Sequence, residues 1–294
     1  MDRTAPTCRL HVIPAAAAPI AAVFRRGPST RWHIVKWDFD QGAVESGAWL
    51  NGSLYPRRSN LSPDGKLLGY FAYMGRPHSP SWPESYLAVS KLPWLTALAA
   101  WENSGTWSWG CGFGGDSELQ IYGQVLKEKP FHGSWPGKIN VTTLHCKNLS
   151  WQDRDFRLEE ERGWTEGPPG QYLKFVPKRS LKYSHPPRSL SKSNPKLGHR
   201  LVLVSQGTDF AEHSVEGVVV DYLLDDQRSP PALIADAAWA DWDRAGRLLL
   251  ATLKGELQVR EYDKGAGTWD VTWSQDLNPI KPQNTKAPDW ARSW

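Results

Sequence analysis

Cysteine is nearly missing. Only Cys8, Cys111 and Cys146 stand among 294 residues, an odd number with no paired spacing, which excludes a disulfide framework and fits a reducing compartment. Charge is also sparse, at 22% of residues with a net +4, which gives no more than a weak bias toward acidic partners. No apolar run reaches the length of a membrane-spanning helix, and no stretch sustains a helical period over several turns. Residues 150–162 come nearest. Ser150 and Asp153 there would make a capping box, while Phe156 and Leu158 alternate as they would in a strand, so both readings stay open.

The motifs of chemistry are absent too. A nucleophile elbow needs Gly-x-Ser-x-Gly between strand and helix. Residues 105–110 (Gly-Thr-Trp-Ser-Trp-Gly) have the wrong spacing, which sets Ser108 aside. There is no phosphate loop ending in Gly-Lys-Ser/Thr, and no helix opens behind the glycine-rich residues 110–115 to receive an anion. His145 and Cys146 are neighbours on one expected strand and point to opposite faces, so they would not share a metal ion. No metal site and no cofactor are expected.

What is present is a repeat. Residues 61–68 (Leu-Ser-Pro-Asp-Gly-Lys-Leu-Leu) and 242–249 (Trp-Asp-Arg-Ala-Gly-Arg-Leu-Leu) each read as a strand end, a turn closed by glycine and a basic residue, then an apolar strand. Equivalent turns fall near Ala17, Gly65, Ser117, Gly170 and Gly246, mostly at intervals of roughly 50 residues, the size of a four-stranded propeller blade. Short stretches rich in β-branched, aromatic and leucine side chains lie between them, bounded by Gly, Pro, Asp or Asn. The fold class is all-β: a β-propeller of five, alternatively six, four-stranded blades. Residues 1–294 are read as one domain, with a long basic loop inserted at about 178–197.

Residues 33–42 (His-Ile-Val-Lys-Trp-Asp-Phe-Asp-Gln-Gly) resemble the strand-and-turn ending of WD-repeat blades, as do residues 257–263. Residues 62–66 (Ser-Pro-Asp-Gly-Lys) are similar to the turn of TolB-type propeller repeats. The regular Gly-His dipeptide of WD repeats occurs once, at Gly198-His199. The resemblance implies a propeller scaffold and carries no catalytic residue with it.

Function has to come from sites grafted on that scaffold. Seventeen tryptophans are far more than an average domain holds, and most are read as filling the wide interfaces between blades. Trp82 sits in a proline-rich stretch, and Trp107 and Trp109 in a glycine-rich one, where no strand face is ready to bury them. These are the candidate anchors for a protein partner. Residues 174–200 carry eight basic side chains and no acid. Arg179, Lys182, Arg188, Lys192 and Lys196 are therefore taken as a charged contact, with the bland alternative that the run is merely solvated. Aromatics hardly interleave with these charges, so nucleic acid is not expected as a partner.

Paired carboxylates would make a sugar hydrolase, and Asp38, Asp40, Asp64, Asp116, Asp236, Asp241, Asp243 and Asp270 are the candidates. Asp64, Asp116 and Asp243 lie at repeat turns, where aspartate bonds the local backbone; Asp236 and Asp241 are the harder pair to dismiss. The reading is a non-catalytic recognition module for a protein partner, soluble and cytoplasmic, with secretion or a periplasmic location less favoured. A carbohydrate-binding or glycoside-processing propeller is the alternative. Asn51, Asn60, Asn140 and Asn148 stand in glycosylation sequons, which matter only on a secretory route. The Ala-rich residues 10–24 are interrupted by His11, Pro14 and Pro19, and double as the first strand rather than forming a leader.

Overall fold

The structure, a computed structural model, describes residues 7–27, 31–75, 81–103, 109–115, 117–123, 128–143, 151–168, 170–209 and 216–294. Five small sheets follow one another along the chain in the arrangement of a β-propeller. The first contains β1 (Arg9–Pro14), β2 (Ile20–Arg26), β3 (Arg31–Asp38) and β4 (Ala43–Asn51), in that order. The second is built on β5 (Ser53–Leu54), β6 (Asn60–Leu61), β7 (Leu67–Tyr73), β8 (Ser85–Lys91) and β9 (Ala99–Glu102). β10 (Gly110–Gly115) and β11 (Glu118–Gly123) begin the third.

The chain then returns to the second sheet as β12 (His132–Gly133), which pairs with β9, before completing the third as β13 (Lys138–Thr143). That detour is why β13 lies parallel to β11 while every neighbouring pair is antiparallel, because a tight hairpin cannot join parallel strands. The fourth sheet runs β14 (Thr165–Glu166), β15 (Tyr183–Ser193), β16 (Arg200–Thr208), β17 (Val218–Asp225) and β18 (Ala232–Leu233). The fifth runs β19 (Ala237–Trp242), β20 (Leu248–Thr252), β21 (Glu256–Asp263) and β22 (Thr268–Asp276).

Five blades agree with the repeat. Four strands per blade holds for the first and fifth sheets; the others have six, three and five, and no sixth sheet occurs among the described residues. The second strands read as unbroken apolar runs, Ala21 to Phe24 in β2 and Leu248 to Ala251 in β20, and all of these residues are buried. A strand covered on both faces gains from apolar side chains at every position. The fourth strand β22 is largely exposed and rich in Thr, Asp, Ser and Gln, while β4 is only partly exposed.

The repeat turns have a common construction. Gly65 and Gly246 both adopt positive φ, at 77° and 84°, which an L side chain adopts only with strain. Each closes the hairpin before the second strand, Gly65 N–H donating to Ser62 O at 2.9 Å and Gly246 N–H to Asp243 O at 3.2 Å. Each also leans on the corresponding turn of the preceding sheet: a methyl group on Gly65 would meet Ile20 at 2.7 Å, and one on Gly246 would meet Asn194 at 2.8 Å. Hydrogen bonds run the same way, from Ala17 N–H to Pro63 O and from the Asn194 amide to Gly246 O.

Three expectations are corrected. The fourth repeat turn is Asn194 to His199 rather than Gly170: Asn194 Oδ1 accepts the N–H groups of Lys196 and Leu197, so a side chain does what glycine does elsewhere. Residues 151–161 settle as helix α1 (Trp151–Glu161). The basic stretch at 178–197 is not a protruding loop, since most of it is β15, paired along its length with β16 and at one end with β14.

The chain divides into two compact units, Met1–His11 with Glu159–Ile280, and Val12–Leu158 with Lys281–Trp294. Among the described residues no helix is long and apolar enough to cross a membrane.

Candidate functional site

The basic residues singled out by charge turn out to be largely internal. Arg179 makes a two-pronged contact with the buried Asp221, Nη2 to Oδ1 at 2.7 Å and Nε to Oδ2 at 3.4 Å. Arg188 is itself buried and meets Glu160 at 2.5 Å and Glu166 at 3.2 Å. Lys192 Nζ lies 2.6 Å from Asp241 Oδ1, and Arg200 binds the buried Asp225 at 2.8 Å. A buried carboxylate without a cation is strongly disfavoured, so Arg179 and Arg200 brace the fourth sheet internally and Lys192 joins it to the fifth. Lys182 and Lys196 keep exposed side chains, the former 5.5 Å above the Tyr183 ring.

The same pairs account for the candidate carboxylates. Asp241 belongs to Lys192, Asp243 to Arg247 at 2.5 Å, and Asp236 to Arg260 at 3.7 Å. Asp38 accepts the N–H groups of Asp40 and Gln41 in the turn after β3. Asp263 does the same for Gly265 and Ala266 in the turn after β21, which repeats the local chemistry of the blade. Asp64 binds Ser62 and Lys66, and Asp270 binds Thr268. Asp116 lies outside the described residues. Among the described residues no group of three or more His, Cys, Asp or Glu side chains could hold a metal ion.

The tryptophans divide. Trp109 is buried, 8% exposed, and its carbonyl accepts from Arg157 of α1, so its ring belongs to the core. Trp107 lies outside the described residues. Trp82 is partly exposed and anchors an aromatic cluster at the edge of the second sheet. Its ring meets Phe131 edge-on at 5.1 Å, Tyr86 edge-on at 5.0 Å, and His132 at 5.0 Å. Burial pushes the Tyr86 hydroxyl up to about 12, so that hydroxyl keeps its proton over the physiological range. Phe131 is 39% exposed.

Four residues further along, Trp135 packs partly buried against the core group of Leu87, Val89, Trp101 and Leu119. Its Nε1–H donates to Lys138 O at 3.1 Å, and it meets Trp294 edge-on at 5.2 Å. Trp290 and Trp294 are 51% and 42% exposed. The partly exposed aromatics thus form two groups, Trp82 with Phe131 and Trp135 with Trp294, on either side of β12 in the sequence, and such side chains have the composition of a recognition surface.

Sequence reasoning missed Phe131, Trp135, Trp290 and Trp294. The signal that selects Trp82 is present at Trp135 as well, which stands directly before Pro136-Gly137. β12 fixes the surface, because its two residues pair with Ala99 and Ala100 of β9 and set Phe131 and Trp135 on either side. No protein-family model matches the chain, and no curated protein matches it in sequence.

Proposed function

We propose that the protein is a recognition module without chemistry of its own, binding a protein partner through the aromatic surface of Trp82, Phe131 and Trp135. The propeller fold suits a binding module. The observation that carries the finer reading is the edge-to-face pair of Trp82 with the exposed Phe131, with the partly buried Trp135 four residues further along the chain. Side chains already fixed by packing lose little freedom on binding, which is what makes aromatic anchors effective. Among the basic residues, Lys182 and Lys196 are the ones still suited to a partner's carboxylates. Asp38, Asp64, Asp236, Asp241, Asp243 and Asp270 each have a hydrogen-bond or ion-pair partner, which weighs against sugar hydrolysis. A cytoplasmic location belongs to the same proposal and is supported by Cys8 and Cys111, which are buried and not joined in disulfides.

Affinity capture from the native source tests this with three chains: wild type, Phe131→Ala and Trp82→Ala. A protein retained by wild type should be lost from both variants, each substitution costing more than about 1 kcal/mol of binding, while the melting temperature of Phe131→Ala stays close to wild type. Equal retention by all three chains would remove this surface from the reading.

A further inference from the structure

The segment Lys281–Trp294 lies on unit two, next to the aromatic surface, and makes no strand pairing there. Its only regular element is a single 3-10 turn, Asp289–Ala291. Three contacts hold it: Lys91 Nζ donates to Trp290 O at 2.8 Å, Trp294 Nε1–H donates to Ser134 O at 2.6 Å, and the Trp294 ring meets Trp135 edge-on. Ala291 is fully buried beneath the turn, whereas residues 281–286 are exposed.

The receiving side does not depend on the segment for its shape. Trp135 is held by the core and by Lys138 O, Ser134 N–H donates to Leu98 O, and Lys91 ends β8. A preformed surface therefore offers a carbonyl acceptor for an indole N–H, an aromatic ring for its edge, and an ammonium for a peptide carbonyl. The segment fills all three while leaving about half of each of its own tryptophans in water. A solvated tether and a small set of side-chain contacts are the properties of a segment that opens at modest cost.

We propose that Lys281–Trp294 is an exchangeable ligand in cis, and that the surface takes an extended, tryptophan-bearing peptide of the partner protein in its place. This rests on the reading of the aromatic surface as the partner site. The spacing in the segment defines the ligand: a carbonyl facing Lys91, a small residue next, and an indole three residues after that. While the segment is seated the site is occupied, and a partner peptide pays the cost of displacing it as a reduced apparent affinity.

Fluorescence anisotropy with a labelled synthetic peptide of residues 281–294 provides the test. A chain lacking Lys281–Trp294, shown to be folded by circular dichroism, should bind the peptide saturably. The full chain should bind it at least tenfold more weakly, and the same peptide with Trp294→Ala should bind the shortened chain at least fivefold more weakly. Absent binding to the folded shortened chain, or equal binding to both chains, overturns the proposal. Should the shortened chain fail to fold, Lys91→Met and Trp294→Ala in the full chain replace it. Trypsin should then cut after Lys286, which Ala287 follows, faster than in wild type, and unchanged cleavage overturns the proposal. The peptide should also release any captured partner; binding without release overturns the exchange while leaving the capture result, and so the proposed function, intact.

Discussion

At the scale of single residues, His33 shows how burial acts on a titratable ring. It is fully buried on β3, stacked on Trp49 with centroids 4.2 Å apart, and its Nε2 is 2.8 Å from Ser46 Oγ. Burial, and then the positive charge of Arg25, lower its pKa to about 4, with the Gly47 backbone pulling the other way. An unfolded histidine titrates near 6.5. Between pH 6.5 and 4 the unfolded chain thus binds a proton that the folded chain refuses. Stability from this residue is complete above that window and falls as the pH drops through it, by roughly 2 kcal/mol between pH 7 and pH 5. Urea denaturation at the two pH values should show this loss, and His33→Gln, whose amide can still reach Ser46, should reduce it to a fraction. A variant as pH-sensitive as wild type would assign the effect to other groups.

At the scale of elements, legibility followed the range of the interaction. The turns at Gly65 and Gly246 were readable because the hydrogen bonds that close them run between residues three apart, and the contacts with the preceding sheet only add to that. The aspartate turns after β3 and β21 are equally local. β15 was not readable. Its string of lysine, arginine, serine and proline looks solvated because its partners Asp241, Glu160 and Glu166 are roughly 20 to 50 residues away, and charge patterning in a window cannot pair them. The Asn194 turn was missed for a different reason, since a side chain there substitutes for the glycine that marked the other blades. The aromatic residues were half legible: Trp82, in a Pro-rich setting, is partly exposed, while Trp109, in a Gly-rich one, is buried, its carbonyl bound by Arg157 of α1. If β15 is structural, Lys192→Met should leave the Asp241 carboxylate buried without its cation. The expected cost is about 3 kcal/mol in urea denaturation, most of it recovered when Asp241→Leu is added. Unchanged stability together with weakened partner capture would return Lys192 to the recognition surface.

At the scale of the whole molecule, neither compact unit is one continuous stretch of chain. Met1–His11 belongs with Glu159–Ile280, and Lys281–Trp294 belongs with Val12–Leu158. This interleaving supports the proposal that residues 1–294 fold as one domain, since no cut leaves either unit with all its parts. The join in unit one is specific. Cys8 N–H donates to Asn278 Oδ1 at 2.9 Å, and Cys8 Sγ packs on Gly255 in the turn between β20 and β21. Asn278 also reaches Lys254 O and Asp276 through its amide nitrogen, at 2.7 Å each. One side chain thus ties the residue before β1 to the turns of the last sheet within unit one, across 270 residues of sequence. Closing so long a loop is entropically costly, though the cost grows only slowly with length, so a few good hydrogen bonds suffice to hold it. Asn278→Ala removes them and leaves backbone groups unsatisfied, at roughly 1–3 kcal/mol. The loss should be local before it is global. Cys8, 2% exposed in the native chain, should become alkylated by iodoacetamide severalfold faster in the variant, read by peptide mass mapping. Cys111, buried against the second sheet, should keep its native rate. Equal acceleration at both cysteines would mean that the whole molecule opens together, and unchanged rates at both would show that the join is held by something other than Asn278.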